Sequence, residues 1–87
     1  MQFRWIEWNI EHLAEHGITP EEAEMVVEGA RKPFPRRVEE EKFLVWGRGR
    51  GGRLLQVLFL REESDLAFVI HARPLTEVEK RRYRRGR

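Results

Sequence analysis

The sequence predicts an α+β domain of small two-layer form, an antiparallel β-meander with helices in the order β-α-α-β-β-β-α. Three observations lead there. Two short stretches before residue 30 carry helix caps and helical apolar spacing. Three strand-like runs between residues 42 and 73 are separated by glycine-rich and acidic turns. A last capped helix follows Pro74, so helices and strands are segregated along the chain. At 87 residues the chain is long enough for one hydrophobic core, and residues 1–87 form a single domain with no internal repeat.

Phe3 to Ile6 reads as a first strand. A helix from about Asn9 to His16 follows, with Asn9 as N-cap, Ile10 and Leu13 facing inward, and Gly17 as a left-handed stop. Thr19-Pro20-Glu21-Glu22 supplies an N-cap, a proline in the first turn and a glutamate at the capping-box position of a second helix. Ala23, Val26, Val27 and Ala30 give that helix its apolar stripe, and the two helices make an acidic hairpin. Residues 31–41 contain two prolines and read as an extended linker. Lys42–Gly47, Arg53–Arg61 and Leu66–Arg73 are the meander strands. Their middle member is almost continuously apolar, as for a central strand covered on both faces. Thr76 and Glu79 form the capping box of the final helix, which runs to about Arg85.

The chain has no cysteine, which excludes disulfides and thiolate zinc sites and makes a cytoplasmic location the expectation. No apolar run reaches the ~18 residues of a membrane span, and the start lacks a signal-peptide pattern. Arginine far outnumbers lysine while Asn, Gln, Ser and Asp are scarce, a bias compatible with a thermophilic source. Net charge is only +2, yet residues 1–30 carry one Arg against seven Glu and the remainder carries sixteen Lys or Arg against eight acids. The halves therefore stand at −6 and +8. A polyanion or acidic partner suits the C-terminal half; solubility alone is the plainer account of the same charges.

Gly47-Arg48-Gly49-Arg50-Gly51-Gly52 matches the glycine spacing of a dinucleotide loop, but strand residues follow where that loop needs a helix. A hairpin turn with positive φ angles is the reading, and no nucleotide cofactor is expected. Arg48, Arg50 and Arg53 stand in or beside this loop, within reach of phosphates. His12 and His16 are four apart, the spacing of paired metal ligands, but no third ligand accompanies them and a structural role at the helix end takes precedence over metal. His71 and Arg73 share a strand face by the period of two. Two readings stand side by side for His71: a group facing an anion, or a core histidine satisfied by backbone. In the last helix Glu79 and Tyr83 are four apart and within reach of each other. Lys80, Arg81 and Arg84 belong to a run of cations that draws polyanions or simply solvates the helix. Trp5, Trp8 and Trp46 read as core or interface residues rather than stacking platforms.

Taken together, the chain resembles the BrnT-like toxins of type II toxin–antitoxin systems, small proteins of RelE-like fold. The resemblance lies in Glu7-Trp8, in His16-Gly17-Ile18 with the Glu-Glu-Ala-Glu helix after it, in Arg53-Leu54-Leu55-Gln56-Val57, and most specifically in Ala72-Arg73-Pro74-Leu75-Thr76 with Glu79 and Tyr83. It implies an RNA endonuclease without metal or cofactor, using the substrate's 2′-hydroxyl as nucleophile and held inactive by a cognate antitoxin. Arg53 and Arg73 match positions that stabilise phosphate, and His16 and Tyr83 match positions for orientation or proton transfer. His71 joins them from strand geometry alone. The chain departs from the family's pattern at Glu15, where a lysine commonly precedes the His-Gly pair, and around Trp8 and Asn9, where a longer lysine-containing helix is usual. A non-catalytic module binding RNA or protein through the same basic face is the alternative. A homodimer joining the acidic helices of one copy to the basic tail of another also follows from the charge division.

Overall fold

A computed structural model describes residues 1–86 of the chain. The elements are β1 (Gln2–Arg4), α1 (Glu7–Ala14), α2 (Pro20–Glu28), β2 (Arg36–Glu39), β3 (Lys42–Arg48), β4 (Leu54–Glu62), β5 (Leu66–Pro74) and α3 (Glu77–Arg85). They form one five-stranded sheet in the order β1-β5-β4-β3-β2. The α+β class and the antiparallel β3-β4-β5 meander agree with the sequence, and β4 lies at the centre.

The expected order β-α-α-β-β-β-α omits one strand. Residues 36–39, read as linker, form β2 and pair antiparallel with β3 at Arg36↔Leu44 and Arg37↔Phe43. A two-residue turn at Glu40-Glu41 closes this hairpin with Glu41 at φ +60°, a conformation usually signalled by Gly or Asn. All four β2 residues are exposed, so the strand also lacks apolar alternation. The sheet is not wholly antiparallel either: β1 lies parallel to β5, with Gln2, Phe3 and Arg4 opposite Leu66, Ala67 and Phe68.

One sheet face carries the core. Val45, Leu55, Val57, Phe59, Ala67, Val69 and Ala72 pack there against Leu13, Ile18, Ala23, Val26 and Val27 from the two N-terminal helices and their connection. The predicted α2 stripe is thus the buried one. Rather than a hairpin packed chiefly on itself, α1 leans on β5 and α2 on β3 and β4. The opposite face is less covered, since Gln56, Leu58 and Leu60 on β4 are only half-buried where two-sided burial was expected.

Asn9 corrects the reading of α1. It is fully buried inside the first turn, and the backbone N–H of Ile6 donates to its Oδ1 at 2.8 Å. Its Nδ2 donates to the carbonyls of Arg4 and Val69, each at 3.1 Å. Strand β1 ends at the Arg4–Phe68 pair, so the Asn9 amide takes over β5's next free acceptor. Because Asn9 and Leu13 define the inner side, Ile10 turns outward and is 40% exposed, contrary to expectation. Gly17 stops the segment at φ +68°, as its sequence position predicts. No helix among the described residues is long and apolar enough to cross a membrane.

Candidate active site

Strand β5 contains an irregularity that decides where its polar side chains go. Phe59 pairs with Val69 but its neighbour Leu58 pairs with His71, so two residues of β5, Ile70 and His71, occupy the space of one. Strict alternation from Ala67 and Val69 sends residue 71 under the helices. The bulge gives that place to Ala72, which is 1% exposed, and turns His71 opposite Leu58 and Arg73 opposite Gln56. Both side chains therefore lie on the outer face, half-buried.

His16 sits just past α1, and its ring meets His71 edge-on, with centroids 5.8 Å apart and planes at 72°. One helical turn earlier, His12 donates from Nδ1 to the Trp8 carbonyl at 2.9 Å. The Trp8 indole tilts over His12 at 4.1 Å and stacks on Phe68 at 6.0 Å. Trp8, His12 and His16 thus run as one seam along the edge of β5 that β1 leaves unpaired. Burial pushes the His71 imidazole below its usual range, and the positive charges of His16, Arg73 and His12 push the same way. A neutral imidazole beside a second imidazole is the pairing required to take a proton at one atom and give one at another.

The two arginines expected to hold phosphate are each clamped by a carboxylate. Arg53 donates from Nε to Glu22 at 2.9 Å and from Nη2 at 2.6 Å, and Nη2 also reaches the Gly17 carbonyl at 2.8 Å. Arg73 donates to both oxygens of Glu79 at 2.8 and 2.9 Å, to the Pro74 carbonyl at 3.0 Å and to Gln56 at 3.3 Å. Arg73 holds the Glu79 carboxyl down to about 2, helped by the Thr76 backbone amide. Arg53 likewise holds the Glu22 carboxyl below its usual range. Glu79 completes the capping box predicted with Thr76, whereas Glu22 does only half of what its motif suggests. Thr19 accepts from the Glu22 amide, but the Glu22 carboxylate turns inward to Arg53 and to the Arg50 amide at 2.8 Å.

Three of the sequence-derived site residues, His16, His71 and Arg73, therefore come together, and Arg53 is linked to them only through the backbone at Gly17. His16 meets His71, Arg73 follows on the same strand face, and Arg53 reaches the carbonyl of Gly17 next to His16. The Tyr83 ring lies 6.5 Å from that of Phe34. Arg50, Arg81 and Arg84 are exposed. Lys80 is half-buried and pairs with Glu77 at 3.1 Å. Arg48 is exposed and donates to the Gly52 carbonyl at 3.3 Å. The loop behind it is a turn with Gly51 and Gly52 at positive φ, leading into β4, and not a dinucleotide cradle. No group of three or more metal-binding side chains is present among the described residues, so the His12/His16 spacing is not completed by a third ligand there.

Sequence reasoning missed Glu22 as the partner of Arg53. The available signal was position: Glu22 stands four residues before Val26, on the stripe that goes inside. Trp8 was grouped with the other two tryptophans, yet it is 45% exposed while Trp5 donates to Glu24 at 2.7 Å and Trp46 to Gln56 at 2.9 Å. The chain matches no protein-family model, no curated protein and no solved structure.

Proposed function

We propose that the protein is a metal-independent endoribonuclease of BrnT-like, RelE-like type, in which His71 and His16 act on one phosphodiester. The observation that supports this reading most is the imidazole pair at 5.8 Å, with His71 biased toward its neutral form. His71 takes the proton of the substrate's 2′-hydroxyl as that oxygen attacks phosphorus. His16, protonated, gives a proton to the departing 5′-oxygen, leaving a 2′,3′-cyclic phosphate and a 5′-hydroxyl. Arg73 contributes fixed positive charge beside His71 and, with Arg53, holds the frame. The exposed arginines Arg50, Arg81 and Arg84 attract the RNA backbone. An acidic antitoxin placed over the basic face is the protein partner of this reading, and a cytoplasmic location goes with it. A homodimer pairing the acidic helices with α3 of a second copy is the self-association it allows.

A second reading has its own support. Both candidates for phosphate contact are held by carboxylates: Arg53 and Arg73 each donate two N–H groups to a glutamate, Glu22 and Glu79 respectively. That arrangement favours a module that binds RNA or protein without cutting it.

Single-stranded RNA incubated with purified protein and a chelator separates the two. Cleavage with cyclic-phosphate ends is expected, falling roughly 100-fold or more in His71→Ala and in His16→Ala, the usual scale of one proton-transfer group. RNA that is bound but left intact makes the protein a binding module. Products with 5′-phosphate ends contradict attack by the 2′-hydroxyl.

A further inference from the structure

We propose that the groove between the C-terminal ends of α2 and α3 is a nucleotide subsite, taking a base on Phe34 and Tyr83 and its phosphate on Arg31, Lys32 and Arg48. It is separate from the imidazole pair and does not depend on catalysis there. The groove encloses about 680 Å³, within the range of roughly 300–1,000 Å³ occupied by small-ligand sites.

Its aromatic wall is fixed before any ligand arrives. Phe34 leans on Trp46 at 5.7 Å, and the Trp46 indole N–H is tied to Gln56 at 2.9 Å. Tyr83 approaches Phe34 at 6.5 Å with the planes at 33°, too close for a base to enter between them. A flat ring therefore lies across the pair from the groove side, with Met25 and Val26 as the apolar boundary.

The rim is cationic, and no carboxylate lines the groove among the described residues. The carbonyl ends of α2 and α3 open close by, at Gly29 and Gly86. Each contributes about half a negative charge, so three cationic side chains leave a clear positive excess. An aromatic surface with several cations on one side matches a base with an attached phosphate. An acidic peptide matches the charge but leaves the ring surface unused.

The probes are AMP, adenosine, inorganic phosphate and a single-stranded DNA oligonucleotide, which has no 2′-hydroxyl and stays intact. Titrated by calorimetry, AMP is expected to bind more tightly than adenosine or phosphate alone. Phe34→Ala should weaken it roughly fivefold or more, on the scale of one lost base–aromatic stack. Arg48→Ala, at an exposed position, should weaken it as well, and His71→Ala should leave AMP binding unchanged. An oligonucleotide that binds more tightly than AMP with the same dependence on Phe34 and Arg48 identifies the ligand as part of a strand. AMP binding with the oligonucleotide excluded identifies a free nucleotide. Absence of saturable AMP and oligonucleotide binding at millimolar concentration, or binding indifferent to Arg48, overturns the proposal. Because His71→Ala abolishes only the proposed cleavage, failure of one idea is read independently of the other.

Discussion

Helices α2 and α3 are each held by an arginine–glutamate clamp, yet the two clamps do different work. In α2 the Glu22 side chain is 3% exposed and lies beside the core residues Ala23, Val26 and Val27, while its partner Arg53 is 41% exposed. In α3 no residue is buried, and the Arg73–Glu79 pair is open to solvent at 28% and 21% exposure. The first clamp neutralises a charge that the core has already enclosed. The second is a principal attachment of a helix that has little apolar reason to stay. Identical chemistry therefore has opposite meanings, because burial sets the cost of leaving a charge alone.

The largest expected effect is at Arg53. Arg53→Ala leaves the Glu22 carboxylate without its cation, holding only the Arg50 amide, and also frees the Gly17 carbonyl. Urea unfolding should show a loss of about 2–3 kcal/mol, the lower side of the scale for breaking a buried pair, because Glu22 is enclosed but Arg53 is 41% exposed. The double variant Arg53→Ala/Glu22→Ala should recover part of that loss. If the single variant costs no more than a surface pair, the two clamps are equivalent and the contrast fails.

Next comes Glu79→Gln, which breaks the clamp and weakens the Thr76 cap. The expected global loss is about 1–2 kcal/mol, on the scale of a lost cap and a partly exposed pair. Amide exchange should accelerate in residues 77–85 well before the sheet is affected. Exchange rising uniformly across β4 and α3 would instead show that the helix is part of one cooperative unit.

Acid titration tests the same attachment without mutation. The Glu79 carboxyl is lowered to about 2 in the folded chain, against about 4.3 for a free glutamate. Its contribution is present above the free value and is lost as pH falls from there toward 2. Backbone shifts of residues 77–85 should report release of α3 in that window, while Glu79→Gln removes this step.

Smallest is Arg84→Ala, on the exposed side of α3. Stability should change by less than about 0.5 kcal/mol, as at other free surface sites. If the residue contacts a phosphate, the salt slope of RNA binding should fall by about one. An unchanged slope removes Arg84 from the RNA-binding surface.

The sequence made the meander and the two N-terminal helices legible because their caps and apolar periods are local. Thr19, Gly17, Thr76 and Glu79 signal their own conformations, and Val26 and Val27 signal their own burial. Strand β2 was hidden because its turn uses Glu40-Glu41 and its four residues are all solvated. Asn9 was misplaced because its pattern fits a helix cap, while its actual partners include Val69, sixty positions away. The same long range hid the pairing of Arg53 with Glu22, although both residue types were visible. His16, His71 and Arg73 were named from sequence, but their meeting depends on a bulge that no local composition announced.

That bulge makes reading frame along β5 a matter of single codons. A deletion at position 70 preserves Ala67, Val69 and the pairing of β1, so the early part of the strand survives. The rest survives as well: with Ile70 gone, His71 follows Val69 directly opposite Leu58, Ala72 keeps its place under the helices and Arg73 stays opposite Gln56. Loss of Ala72 two codons later has the opposite result, because it brings Arg73 opposite Val57 on the core side of the sheet.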